Sequence, residues 1–219
     1  MPLQHSCFVS YRHPQMPGSP VKQLIEALML EVGGRLQWPA SFDKQRLKPG
    51  YRLNEALASE LYHSACMVMV YTGHYFRPES PYCSREFFGM LNLERQRCAM
   101  LPPGKRNTSF IIPMAFRDFD WMNRQIKQAE AAAQIATPSP RIGVNFEHLQ
   151  RWLTRSDLDE ISRVATQIRD LCDLYDEMAL GGADPFADPL SFKLPTEAEV
   201  SQLLPVTLGW SKLPTKEAA

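Results

Sequence analysis

Residues 65–71, Ala-Cys-Met-Val-Met-Val-Tyr, form an unbroken apolar run. It is too short to cross a bilayer, and it lacks the alternation of a strand with one wet face. It suits a strand covered on both sides. Parallel sheets need such strands, because their crossover connections lay helices over the faces.

The flanking segments repeat the pattern. Cys7-Phe8-Val9 reads as a buried strand running into a loop rich in turn residues, and Leu36-Gln37-Trp38 as a short second strand. Phe110–Phe116 is a further apolar strand, whose Pro113 lacks a ladder donor and implies an edge or a bulge. Ile142–Phe146 is short enough to be one more strand.

Between these lie capped helices. Ser19-Pro20 starts one whose inner face is Val21, Leu24, Ile25, Leu28 and Val32, with Gly33-Gly34 as its stop. Leu53, Leu57 and Leu61 define a second helix, to about Ser64. Ser80-Pro81 starts a third with Phe87, Met90, Leu91 and Glu94 in register, and Ser156 caps a last one facing inward through Leu158, Ile161, Ala165, Ile168, Cys172 and Tyr175.

Strands alternating with helices predict an α/β fold, a mostly parallel sheet with helices on both faces and right-handed crossovers. Its functional cleft is expected beyond the carboxyl ends of the strands. With 219 residues, residues 1–182 are expected to form one domain. Residues 183–219, punctuated by prolines, read as an irregular extension.

Composition narrows the partners. Lys+Arg and Asp+Glu both number 24, so the chain lacks the overall field that draws proteins to nucleic acids or anionic membranes. Neither partner is expected. The five cysteines form no CxxC pair, which suits a reducing compartment. No HExxH or Cys-His finger spacing occurs, so no metal is expected. The N-terminus lacks the pattern of a secretory signal, and a cytoplasmic protein is expected. Arg95, Arg97, Lys105 and Arg106 make a basic strip, and the last helix is acidic. These read as solvated faces or as opposite patches meeting between subunits.

No GxGxxG and no GxxxxGK[ST] occurs, so neither common nucleotide fingerprint applies. Ser10, Tyr11 and Arg12 stand at the carboxyl end of the first strand, where an open α/β sheet places its site. Tyr82 and Glu86 are i and i+4 on the third helix and share a face. There a ring can stack a heterocycle and a carboxylate can hold a sugar hydroxyl. Cys83 lies beside them without a histidine at a nucleophile's spacing and reads as a small packed thiol near substrate.

These residues carry a family resemblance. SCFVSYRH resembles the first conserved box of TIR (Toll/interleukin-1 receptor) domains, SPYCSREF their Ser-x-Trp-Cys-x-x-Glu box, and FIIPMAF their fourth strand. FDKQRLKPGYRL falls where these domains place a mobile loop, and the likeness spans roughly residues 5 to 177. It implies a flavodoxin-like three-layer sandwich.

The resemblance further implies that Glu86 is the catalytic residue of an NAD⁺ glycohydrolase; Ser10, Tyr11, Arg12, Tyr82 and Cys83, by their positions at the strand end and on the helix, are then expected around the substrate. Tyr82 stands where Trp is usual. NAD⁺ would be substrate, with no cofactor. Lys44, Arg46, Lys48, Pro49 and Gly50 would belong to a loop through which TIR domains self-associate. An effector of bacterial antiphage defence, triggered by a separate sensor or scaffold, is the leading expectation. The alternatives are a non-enzymatic TIR adaptor and a synthase of a cyclic ADP-ribose signal.

Overall fold

The computed structural model describes residues 3–12, 19–42, 53–78, 81–134, 141–149 and 153–204. The chain runs β1 (His5–Tyr11), α1 (Pro20–Arg35), β2 (Ser41–Phe42), α2 (Leu53–Tyr62), β3 (Ser64–Tyr71) and α3 (Pro81–Met100). It continues through β4 (Ile111–Ala115), α4 (Phe119–Ala132), β5 (Val144–Asn145), α5 (Arg155–Leu180) and α6 (Glu197–Leu203).

Among the described residues, five strands form one sheet in the order β2-β1-β3-β4-β5, every pair parallel. The fold is therefore α/β, as expected. β3 lies between β1 and β4, and all its residues are buried, which accounts for its unbroken apolar run. α1 packs on α5, while α2 packs on α3, which carries α6. Right-handed crossovers put these two groups on opposite faces.

The chain leaves β1 in one direction to form β2 and returns past it to form β3. Neighbouring β1 and β3 thus send their connections to opposite faces, which makes the carboxyl ends of these two strands the switch point where open α/β sheets bind ligands.

Several boundaries differ from expectation. Leu36–Trp38 is not a strand; β2 begins at Ser41, because Pro39 has no N–H for the ladder and instead accepts from Ser6 N at 3.1 Å. α1 continues through Gly33-Gly34 to Arg35, whose guanidinium bonds Glu31 and, at 3.3 Å, Ser162 on α5. The last turn is closed by Leu36 N donating to Val32 O at 3.0 Å, and packing of α1 on α5 supports the helix past the two glycines.

β4 lies between β3 and β5, but β5 pairs with it only at Met114 and Ala115, so Pro113 sits at a locally unpaired edge, as its missing donor implies. Phe110, Ile112 and Met114 alternate with Pro113, and the bonds Met67 N to Phe110 O and Phe116 N to Tyr71 O put the even-numbered residues on the β3 side. Pro113 therefore turns its donorless nitrogen toward β5, below the point where β5 begins at Val144. Ile142, expected in that strand, is exposed.

α5 is capped by Thr154, not Ser156, in a reciprocal box with Asp157. Asp157 takes the inward position and accepts from Thr154 N (2.7 Å), Thr154 Oγ1 (2.7 Å) and His148 Nε2 (2.6 Å). Leu158, one residue on, is consequently exposed.

The basic strip is not one surface. Arg97 is buried, donates to Tyr62 O (2.7 Å) and Ser64 O (3.1 Å), and lies over the rings of Phe110, Tyr175 and Phe186. Lys105 pairs with Glu177 of α5, so those opposite charges meet within the chain. Cys7, Cys66 and Cys172 are buried, and burial pushes the Cys7 and Cys172 thiols up to about 12.

Beyond α5, Phe186, Leu194, Val200 and Leu204 are buried in the same core. Gly89 on α3 makes room for this segment: a Cβ there would come within 2.8 Å of Leu194 and 3.2 Å of Leu61.

Candidate functional site

At the switch point a line of buried hydroxyls ends on a carboxylate. Ser10, next to last in β1, is 1% exposed and donates to Glu86 Oε2 at 2.5 Å. Glu86, on the second turn of α3, is 4% exposed. Ser10 Oγ also bonds the Tyr75 hydroxyl, from the β3–α3 connection. Serine has a single hydroxyl proton and here directs it to Glu86, so Tyr75 is the donor to Ser10. Burial pushes the Tyr75 phenol well above its usual value, with Cys83 and Glu86 nearby adding to the effect, so it stays protonated.

Local sequence explains how Tyr75 arrives there. The chain turns after β3 at Gly73, whose φ of 84° is left-handed and suits a residue without Cβ. Tyr75 and Phe76 then fold inward. Their rings form an edge-to-face series, Tyr75–Phe76 at 5.2 Å and Phe76–Phe87 at 5.0 Å, tying the connection to the helix that carries Glu86.

The expected site residues differ in their surroundings. Ser10 and Glu86 come together. Tyr11, the last residue of β1, and Arg12 after it are half-buried at the carboxyl end of this strand. Cys83 is buried, in keeping with a packed thiol. Tyr82 is 42% exposed, and the guanidinium of Arg85 lies 5.5 Å from its ring centroid. Lys44, Arg46, Lys48, Pro49 and Gly50 lie outside the described residues, as does the expected Ser80 cap.

Arg85 is a structural clamp beside the site. Its Nε donates to Pro195 O at 2.6 Å and its Nη1 to Asn54 Oδ1, in the first turn of α2, at 3.0 Å. One side chain thus joins α3, α2 and the segment beyond α5.

Sequence reasoning missed Tyr75. The available signal was a Tyr-Phe pair inside an otherwise polar connection, which favours burial over solvent. Among the described residues, no group of three His, Cys, Asp or Glu side chains could hold a metal ion, and no helix is long and apolar enough to cross a membrane.

Compared with known proteins, the chain matches no family model and no curated protein. The arrangement itself offers a buried, hydrogen-bonded carboxylate at a sheet's switch point. Such a group can stabilise positive charge developing on a bound molecule, far more strongly than it could in water.

Proposed function

We propose that this chain is a TIR-like NAD⁺ glycohydrolase of flavodoxin-like three-layer architecture. The observation that carries the proposal is the buried Glu86 carboxylate bonded to Ser10 near the carboxyl end of β1. The strand order 2-1-3-4-5 is the one flavodoxin-like folds use, with the ligand at the β1/β3 switch point.

In NAD⁺ the nicotinamide is already cationic, so its bond to C1′ breaks without an acid. The bonding electron pair leaves with nicotinamide, and positive charge develops on the ribose as in other glycosidic cleavages. Glu86 faces that charge and holds ribose hydroxyls. Water adds at C1′ and loses a proton to give ADP-ribose; capture by the adenine of the same molecule gives a cyclic isomer instead. Tyr82 offers a ring at the mouth of the site, and Tyr11, Arg12 and Cys83 stand around it. Self-association through the segment containing Arg46, driven by a separate sensor or scaffold, completes the site in an antiphage response in the bacterial cytoplasm.

The test is to incubate the purified chain, alone and concentrated, with NAD⁺ and identify products by mass. Nicotinamide release that Glu86→Gln lowers more than a hundredfold, the equivalent of ~3 kcal/mol, supports the reading. Unchanged turnover in that variant refutes the mechanism. Absence of cleavage at every concentration tried, with an intact fold, favours the adaptor.

A further inference from the structure

We infer that Tyr75 is a positioning residue that fixes the Glu86 carboxylate through Ser10, and that Ser10 serves the carboxylate instead of the substrate. The catalytic consequence rests on the glycohydrolase reading; the geometry does not.

Three observations meet here. The Tyr75 hydroxyl, Ser10 Oγ and Glu86 Oε2 are joined in sequence by hydrogen bonds, and the three residues are 0, 1 and 4% exposed. A hydroxyl buried to this degree must be bonded, and with Glu86 accepting, the polarity of the line is set: Tyr75 donates, Ser10 relays, Glu86 accepts. Each donor polarises the next, which strengthens the bond reaching the carboxylate.

The geometry also removes Ser10 from the substrate's reach. Its proton is committed to Glu86 and it accepts the Tyr75 proton. It has no proton left to give a substrate, and its one remaining lone pair is buried with the residue, which is 1% exposed. Tyr75 is held in turn by the ring of Phe76 and, beyond it, that of Phe87, so the line is anchored at its far end by packing. A carboxylate so held points in one direction before substrate binds and needs no reorganisation as charge develops.

The experiment is a double-mutant cycle on the full chain with Tyr75→Phe, Ser10→Ala and the pair, read by NAD⁺ turnover and by the ¹³C signal of the Glu86 side-chain carboxyl. Loss of that signal in Glu86→Gln assigns it. Tyr75→Phe is expected to lower kcat about three- to tenfold with KM within twofold, and Ser10→Ala about ten- to hundredfold. Because Tyr75 acts through Ser10, the double variant should match Ser10→Ala alone. In both single variants the carboxyl signal should shift and broaden at fixed neutral pH.

Losses that multiply in the double variant, a change confined to KM, or a carboxyl signal identical to that of the native chain would overturn the inference. If Tyr75→Phe does not fold, Ser10→Ala and the carboxyl signal still decide. If the native chain cleaves no NAD⁺, the proposed activity fails separately, and the carboxyl signal alone decides the positioning role.

Discussion

Arg141→Met should cost the fold about 3–5 kcal/mol, the loss expected when one partner of a buried ion network is removed. Arg141 precedes β5 and donates to Glu130 Oε1 (2.6 Å), to both oxygens of Glu94 (2.8 and 3.0 Å) and to Ser109 Oγ (2.7 Å). These charged side chains are only 5 to 6% exposed. Methionine fills much of the volume but leaves two carboxylates in the interior without their cation.

For a domain of this size the loss corresponds to a fall in Tm of roughly 6–20 °C. It should also depend on pH with a definite sign. Burial raises the Glu130 carboxyl above its usual value even with Arg141 opposing it, so without the arginine the rise is greater. A carboxyl with a raised folded pKa favours the fold at low pH and loses that contribution as pH climbs through it. The gap between native and variant should therefore be wide near about pH 8 and narrower near about pH 5. Thermal unfolding followed by circular dichroism at the two pH values checks both points. A fall under about 2 °C, or one equal at both pH values, would refute the account.

Two further predictions concern the site. Tyr82→Ala should weaken NAD⁺ handling several-fold while Tyr82→Trp preserves or improves it, measured as kcat/KM; equal activity in the alanine variant would show that the ring serves only to cover Arg85. Specific activity should rise steeply with protein concentration, and Arg46→Glu should suppress that rise; a flat profile with the reversed variant fully active would defeat assembly-dependent activity.

Elements with local start signals are legible in the sequence, and those started from a distance are not. α1 has Ser19 as its cap, with Ser19 Oγ accepting from Lys22 N at 3.3 Å, and its apolar spacing alone marks its inner face. α4 has no such signal. Its first residue, Phe119, donates its N–H to Glu147, which lies beyond β5, and Asp118 before it adopts a left-handed φ of 54°. The periodicity of Phe119, Met122, Ile126 and Ala129 was present without a boundary to fix it.

The site divides in the same way. Glu86 stood out as a carboxylate following a helix start. Its link to Tyr75 runs through Ser10, 76 residues from one and 65 from the other. No periodicity reports a contact made across two strands and a connection. Arg97 shows the converse: a charge that sequence assigns to the surface is taken inside because backbone carbonyls and three rings replace its water.

The Arg85 clamp shortens the route by which news of assembly would travel. Asn54 stands at the start of α2, directly after the segment assigned to self-association, and Arg85 joins it to the residue beside Glu86. Along the chain the two regions are some thirty residues apart; through space, a single guanidinium spans them. In the proposed assembly, a neighbour that displaced the beginning of α2 would act through this bond on the residue next to the carboxylate. The same guanidinium holds Pro195 O, so a shift of α2 passed through Arg85 would also strain its bond to the chain beyond α5.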